Sequence, residues 1–370
     1  MSHMTSTAAP LVSVVIPVYN GEKFIADAIR SVQAQTYANW DLTIGNNHST
    51  DGTVAIAEEF AARDPRIRVV TYPKFVSVVD SHNNAFNLIS PNAKYAKILG
   101  ADDLLFPNCL EAMVQVAEQH PTVGMVVSYV LSGNRVLGSN YAFPDTFVPG
   151  REVGRYRFLN NIGLFSGPSQ SMIRADIIRE SQPFYNPVNY AGDIEAYLEL
   201  LQRHDLGFVH QVLTYVRVGP DSRTTSYLGR IQAVEVARMD EITKFGDYYL
   251  SPEERKRCLA EATHGYYRFL GQSVWELRKK EFWDYHLKHS AKLGYPPKYS
   301  LIAGYALLRL VDFIGNPLRT LKGFARRIAS RSKSQPRRAS SHGPTPQSHG
   351  PTPSNPSGSG SSVQSMTTAR

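Results

Sequence analysis

Between residues 11 and 130, short apolar runs rich in valine and isoleucine alternate with stretches whose apolar side chains recur at helical spacing. This alternation is the strongest constraint on the fold, because strands that are apolar on both faces need helices on either side to cover them. Leu11–Val18 reads as the first such strand, followed by Phe24, Ile25, Ala28, Ile29 and Val32 at helical spacing. Trp40–Ile44, Ile67–Thr71, Tyr95–Leu99 and Val123–Val130 read as further strands. Between them, Ser49 or Thr50 is expected to cap a helix through Ala55, Ile56 and Phe60; another helix falls near Asn83–Ile89, and Pro107 opens a third. The fold class expected is α/β: a Rossmann-like, mostly parallel sheet with flanking helices. Ligands of such sheets bind beyond the carboxyl ends of the strands.

The rest of the chain is less regular. Residues 131–190 are rich in glycine, proline, asparagine and aromatics, as loops and short edge strands near a cleft would be. Asp193–Gln202 reads as a helix, Phe208–Val216 as a strand, and Leu228 to about Lys292 as helical, with Pro252 and Glu253 starting one helix. Met1-Ser2-His3-Met4 reads as an expression remnant, and 1–10 as outside the fold, with no signal peptide. Two cysteines, Cys109 and Cys258, cannot build a disulfide framework, and a reduced, cytosolic setting is expected.

Charge is unevenly placed. Residues 301–370 carry ten basic side chains and one acid, Asp312, so the formal net charge of +8 belongs to this segment. Leu301–Ile314 is apolar but holds Arg309 and Asp312. After Asn316-Pro317, Leu318, Leu321, Ala325 and Ile328 fall on one side of a helix, and Arg319, Lys322 and Arg326 on the other. The pattern suits a helix lying in a membrane interface, and 301–338 is expected to meet an anionic membrane surface. The same pattern also fits a helix packed on the body with solvated charges. Nucleic acid is not expected as a partner, because no aromatic platform is interleaved with the basic residues. Residues 331–370 repeat Ser-His-Gly-Pro-Thr-Pro at 341–346 and 348–353 and lack large apolar residues, as a disordered tail does.

Three segments carry candidate chemistry, each at a strand's carboxyl end. Pro17-Val18-Tyr19-Asn20 sets an aromatic ring where a nucleobase could stack. Asn46 offers a donor and an acceptor suited to the edge of a base, while Ser49 to Thr53 builds the turn into the next helix and Asp51 reads as mainly structural. Gly100-Ala101-Asp102-Asp103 ends a buried strand with two adjacent carboxylates, costly unless positive charge meets them; a divalent cation bridging to a pyrophosphate would do so. Each alone is equally well explained as turn or cap.

Together, in this order and spacing, they resemble the inverting, bacterial-type family 2 glycosyltransferases with the GT-A fold, over residues 11 to about 226. The matching segments are Pro17-Val18-Tyr19-Asn20, Ser49-Thr50-Asp51-Gly52-Thr53, Ser81-His82-Asn83-Asn84-Ala85, Asp102 with Pro107 five residues later, and Gly192-Asp193-Ile194-Glu195. The resemblance implies a GT-A domain at 11–226, with a nucleotide-binding half at 11–130 and an acceptor half at 131–226. A helical, membrane-associating region follows at 227–330, and the tail at 331–370. It makes Asp193 the catalytic base and Asp102 the ligand of Mn2+ or Mg2+. Pro17, Val18, Tyr19, Asn46, His82, Ala101, Asp102, Asp103 and Arg217 become the donor-nucleotide site. The donor would be a nucleotide sugar, UDP by family habit, and the acceptor a glycan or lipid-linked glycan. The enzyme would sit on the cytoplasmic face of the cell membrane. The aromatic stretch Tyr141–Tyr190 and Gly167-Pro168-Ser169 would shape the acceptor cleft. The chain departs from the family pattern at Asn46, His82, Gly100 and Gly219, where an aspartate, an arginine, a carboxylate and a histidine are usual; pyrophosphate contacts then fall to Arg217 or Arg223. Two rival readings are a nucleotidyltransferase and a catalytically degenerate membrane scaffold. The first lacks the basic, glycine-rich loop after the first strand, where Val18-Tyr19-Asn20-Gly21-Glu22 stands.

Overall fold

Val12, Val14 and Ile16 are fully buried on one side of the first strand while Ser13 and Val15 are fully buried on the other, so this strand lies inside a sheet covered twice. The computed structural model describes residues 9–138, 143–188, 192–218, 231–232, 234–276, 278–292 and 294–315. The strand, β1 (Val12–Val18), pairs in parallel with β2 (Trp40–Asn46) and β4 (Tyr95–Ile98), and β2 pairs in parallel with β3 (Ile67–Thr71). The helices α1 (Ile25–Gln33), α2 (Thr53–Arg63) and α3 (Val78–Phe86) connect these strands. Their order β3-β2-β1-β4 places the chain's reversal of direction between β1 and β4. Polar loops from both strands therefore part at that point and leave a crevice.

Beyond β4 the sheet is mixed. After β5 (Leu104–Leu105) and α4 (Cys109–Gln119) come β6 (Val123–Ser132), β7 (Arg135–Leu137), β8 (Phe147–Val148) and α5 (Gly150–Asn160). The strand β9 (Ser171–Arg174) lies between β4 and β6 and is antiparallel to both. It is followed by α6 (Ala175–Glu180), α7 (Gly192–Leu200) and β10 (Asp205–Val216), which runs parallel to β6 and antiparallel to β5. Residues 131–190, expected as loops and edge strands, thus supply a central strand and an 11-residue helix. With four residues, β9 is too short for its alternation to stand out from a glycine- and proline-rich neighbourhood. Two further details differ from the sequence reading. The third helix begins earlier, at Val78, because the Ser77 hydroxyl accepts the Asp80 amide at 3.1 Å. And α2 begins at Thr53 with Gly52 at its N-cap, leaving Ser49 and Thr50 for other partners.

The helices α8 (Val234–Tyr249), α9 (Pro252–Val274), α10 (Lys280–Asp284, continued by the π-turn Tyr285–His289) and α11 (Tyr299–Gly315) complete the described chain. Ser251 and Glu254 form a reciprocal capping box that starts α9 at Pro252. Val236, Met239, Ile242 and Tyr249 of α8 and Cys258 and Tyr266 of α9 belong to the same apolar core as Val15, Ile98, Ile173 and Phe208 of the sheet. The Tyr249 ring rests on Gly154 of α5, where a Cβ would overlap it. The expected amphipathic segment from Leu318 and the tail lie outside the described residues.

Gly154→Val should therefore loosen the seam between α5 and α8. A loss of about 1–3 kcal/mol is expected from forcing a side chain into a filled site, read as a lower denaturant midpoint with unchanged slope.

Candidate active site

At the crevice, the loops after β1 and β2 are laced together. The Asn20 amide donates to Ser49 Oγ at 3.0 Å, the Thr50 amide to Asn20 Oδ1 at 2.8 Å and the Gly21 amide to Thr53 Oγ1 at 2.8 Å. Glu22 and Asp51 bind reciprocally: the Glu22 amide donates to Asp51 Oδ2 at 3.1 Å, and Glu22 Oε2 accepts the Gly52 amide at 2.8 Å. Asp51 also accepts the Thr53 amide and hydroxyl. Burial pushes its carboxyl upward, but these hydrogen bonds outweigh it and hold the group below the ordinary carboxylate range. Its structural reading fits this geometry.

The lacing leaves Tyr19 at the rim. Its ring, 51% exposed, meets Phe75, 59% exposed, edge to face with centroids 4.9 Å apart. Phe75 is held there because the Asn47 side chain clamps Val76, donating to its carbonyl at 3.0 Å and accepting its amide at 2.9 Å. Sequence reading missed Phe75; an aromatic after β3, beside the proline and lysine of a loop, was the available signal. Pro17 and Val18 lie inside β1. Asn46 is buried, and its side chain is turned into the fold, Nδ2 donating to Thr71 Oγ1 at 3.1 Å and Oδ1 accepting the Ser49 amide at 2.9 Å. One amide hydrogen remains for a ligand.

The acidic turn meets this rim, since a side chain on Gly21 would reach within 3.6 Å of the Ala101 Cβ. Its two carboxylates are placed differently. Asp103 points inward and is buried; Oδ2 accepts the Ser169 hydroxyl at 2.5 Å and Oδ1 the Arg217 amide at 3.3 Å. Burial is the main reason its carboxyl is pushed up to about 6; the Ser169 bond opposes this and the charge of Asp102 adds to it. Ser169 in turn accepts the Gly100 amide at 2.9 Å. Its carbonyl takes hydrogen bonds from the fully buried Lys97 ammonium and from Thr214 Oγ1. Burial pushes the Lys97 ammonium down. A Cβ at Gly100 would stand 2.7 Å from Asp103 Oδ2, so a larger residue there would have to displace that hydrogen-bonded carboxylate.

Asp102 is half-buried, and among the described residues no hydrogen bond to its carboxylate occurs. Arg217 brackets it, Nε donating to the Asp102 carbonyl at 3.2 Å and the guanidinium lying 4.4 Å from the Phe24 ring centroid and 3.8 Å from Asp27. Ala101, Asp102, Asp103 and Arg217 thus form one cluster next to the β1 rim. Arg223 and Gly219 lie outside the described residues.

A second cluster holds the other expected residues. His82 on α3 has its ring 6.1 Å from Tyr185. Asn83, on the same helix, grips Tyr185 by both backbone groups at 2.8 Å. The Tyr185 hydroxyl meets that of Tyr197 at 3.1 Å, and Tyr197 meets Ser171 Oγ at 3.0 Å. Burial, then neighbouring Tyr197 and Asp193, push the Tyr185 phenol well above its ordinary value, and burial with Asp193 raises Tyr197 likewise. Both stay neutral donors. Asp193 lies in the first turn of α7, near enough for its charge to act on Tyr185 and Tyr197.

A cavity of about 530 Å3 also lies between α1 and β5, lined by Asp27, Leu104, Leu105 and Tyr215 among others. It holds none of the expected donor-site residues.

A divalent cation fits the chemistry at Asp102. Such ions bind through one or two carboxylates completed by substrate phosphates and water. Among the described residues no group of three or more His, Cys, Asp or Glu is arranged to hold a metal ion by itself, so an ion at Asp102 would need a substrate diphosphate and water to complete its shell.

A family model described as "Glycosyl transferase family 2" matches residues 13–181. The Escherichia coli UDP-Glc:alpha-D-GlcNAc-diphosphoundecaprenol beta-1,3-glucosyltransferase WfgD is 26% identical over 201 residues, 54% of this chain and 73% of the relative. Other curated relatives are matched over less of their length, one over 25% and another over 50%. Residues 1–349 of Staphylococcus aureus TarS in complex with UDP-GlcNAc superpose with a TM-score of 0.56 at 16% identity, over 77% of this chain and 81% of that fragment. A Pyrobaculum calidifontis mannosyltransferase in complex with GDP-Man and Mn2+ gives 0.50 at 16% identity, over 89% and 88%.

Ser169→Ala removes the donor to Asp103 and the acceptor for Gly100. It should lower stability by about 1–3 kcal/mol, the cost of leaving buried polar groups unmatched, measured by urea unfolding.

Proposed function

Taking as premise that the chain belongs to the family 2 glycosyltransferases with the GT-A fold, we propose that it moves a sugar from a nucleotide diphospho-sugar, a UDP-sugar, to a hydroxyl of a glycan or lipid-linked acceptor, with inversion at the anomeric carbon. The observation that carries this reading is the cluster at the β1/β4 crevice. Asp102 stands there half-buried, its carbonyl bonded by the Arg217 guanidinium and its carboxylate not tied to the core as that of Asp103 is, one loop away from the exposed Tyr19 and Phe75 rings. Paired aromatic rings suit a nucleobase, and adjacent positive charge suits a diphosphate.

In this reading the base rests against the Tyr19–Phe75 pair, and Pro17, Val18 and Asn46 form the floor beneath it. Arg217 and the Ala101–Asp103 turn receive the diphosphate, and His82 lines the sugar side. Asp102 would hold Mn2+ or Mg2+, which neutralises charge on the leaving diphosphate when bound. Asp193 orients the acceptor hydroxyl and takes its proton as the oxygen attacks the anomeric carbon; the neutral Tyr185 and Tyr197 hydroxyls hold its surroundings fixed. WfgD, by its name, acts on a diphosphoundecaprenol-linked sugar, which supports a lipid-linked acceptor. We place the enzyme peripherally on the cytoplasmic face of the membrane, with 301–338 as the contact. The basic residues of that segment support this, and no helix among the described residues is long and apolar enough to cross a membrane.

The test is a screen of nucleotide sugars, with and without Mn2+, read by release of the nucleoside diphosphate. One nucleotide sugar should be preferred and turnover should depend on the metal. Asp193→Asn should keep donor binding and unfolding midpoint while transfer falls about 10²–10⁴-fold, the range for a positioned general base. Parental rates in that variant would remove Asp193 from its role, and donor binding without turnover on any acceptor would favour the degenerate scaffold. Asp102→Asn should abolish the metal dependence while nucleoside binding through the aromatic pair persists, as calorimetry would show.

A further inference from the structure

On α11 only Ile302 and Ala306 are buried, both against α9. The opposite side is bare. Leu307, Leu308, Val311 and Ile314 are 60%, 63%, 59% and 70% exposed. At ~100° per residue these four fall with Ala303 and Gly304 on one arc of about 140° that carries no charged side chain. The helix's two charged residues, Arg309 and Asp312, lie off that arc and pair with each other at 3.1 Å. Ordinary solvated helices put charge on the outward side; here the outward side is uncharged and dominated by large apolar residues, with Ser300 in the first turn its one polar side chain. Aromatic residues with polar tips border it: Tyr299, 66% exposed, at the helix start, and Trp275, 45% exposed, whose Nε1 donates to the Ala306 carbonyl at 3.0 Å.

We propose that this face of α11 inserts into the interfacial region of an anionic lipid bilayer, lying in the membrane plane. The proposal rests on the membrane contact inferred above and names the residues that make it. Charge selects the occupant. The sequence continuing from Gly315 holds eight basic residues and no acidic one up to Arg338, which matches anionic headgroups. An apolar patch continued by such a run of like charge is a poor seat for a second copy of the same chain, since the two basic runs would repel. Insertion needs no spanning length: a helix of 17 residues lying flat buries one face and leaves its other side packed on α9. Headgroup attraction then supplies encounter, and the leucines and valine supply a component that salt does not screen.

The test uses the full chain in flotation with vesicles of phosphatidylcholine and phosphatidylglycerol, against phosphatidylcholine alone. The parental protein should float with the anionic vesicles, and a fraction should remain bound at high salt. Leu307→Glu combined with Val311→Glu should reduce vesicle-bound protein roughly tenfold or more, with unchanged unfolding midpoint and donor turnover. A polarity-sensitive dye on Leu308→Cys should shift to the blue on vesicle binding. Equal binding by the double variant and a dye that stays in water would overturn the α11 assignment while leaving attachment through the basic sequence standing. No binding by the parental protein would overturn both the membrane reading and this one, without touching the sugar-transfer reading. A parental dimer that the double variant splits, with no flotation, would give the face to a second copy and overturn the proposal.

Discussion

A single buried hydroxyl, that of Ser169, sets the shape of the acidic turn. It donates to Asp103 and accepts from the Gly100 amide, while its own carbonyl is fixed by Lys97 and Thr214. These partners come from β4 and the turn after it and from β10, which converge on the short turn Pro168–Gln170 that leads into β9. A lysine buried among carbonyls carries a desolvation cost that several hydrogen bonds must offset. Here the network ties the Asp103 carboxylate to the core, while the half-buried Asp102 beside it takes no part in it. The split between two adjacent aspartates, one structural and one available, follows from this network.

The second constraint is the sharing of one core between the sheet and the C-terminal helices. Tyr249 seats on Gly154, Cys258 donates to the Phe158 carbonyl at 3.6 Å, and Tyr266 pairs with His286 in the interior. The helical region therefore bears on the same apolar layer as α7, on which Asp193 sits. Changes in α8 or α9 reach that layer through packing, because a close-packed interior transmits displacement. Outward of that layer α11 is covered on one side only, so stability and surface attachment are drawn from opposite faces of one helix.

Much of the fold was legible in the sequence, and the reasons differ by region. The first four strands and their helices announced themselves because each carries enough residues for its period to show: Val12, Val14 and Ile16 against Ser13 and Val15 in β1, or Ile25, Ala28, Ile29 and Val32 in α1. The middle of the chain did not. A four-residue β9 in a polar, glycine-rich setting has no readable period, and its central place is granted by neighbours over forty residues away. The association of Asp102 with Arg217 could be suspected from the family pattern. The roles of Phe75, Lys97, Ser169 and Asn83 could not, because each acts through a partner distant in sequence, such as Tyr185 for Asn83.

The sequence by itself determined the α/β class, the strand ends that carry polar residues, and the resemblance to the family 2 glycosyltransferases; these are written in short-range pattern and motif spacing. The tertiary structure alone decided which carboxylate of the pair is buried and bonded to Ser169, that Asn46 is turned inward, and which side of α11 is left bare. Those outcomes depend on burial and on hydrogen bonds spanning 66 residues for Ser169 to Asp103 and 114 for Arg217 to Asp103. The environment that fixes a side chain's direction exists only once distant segments have packed around it.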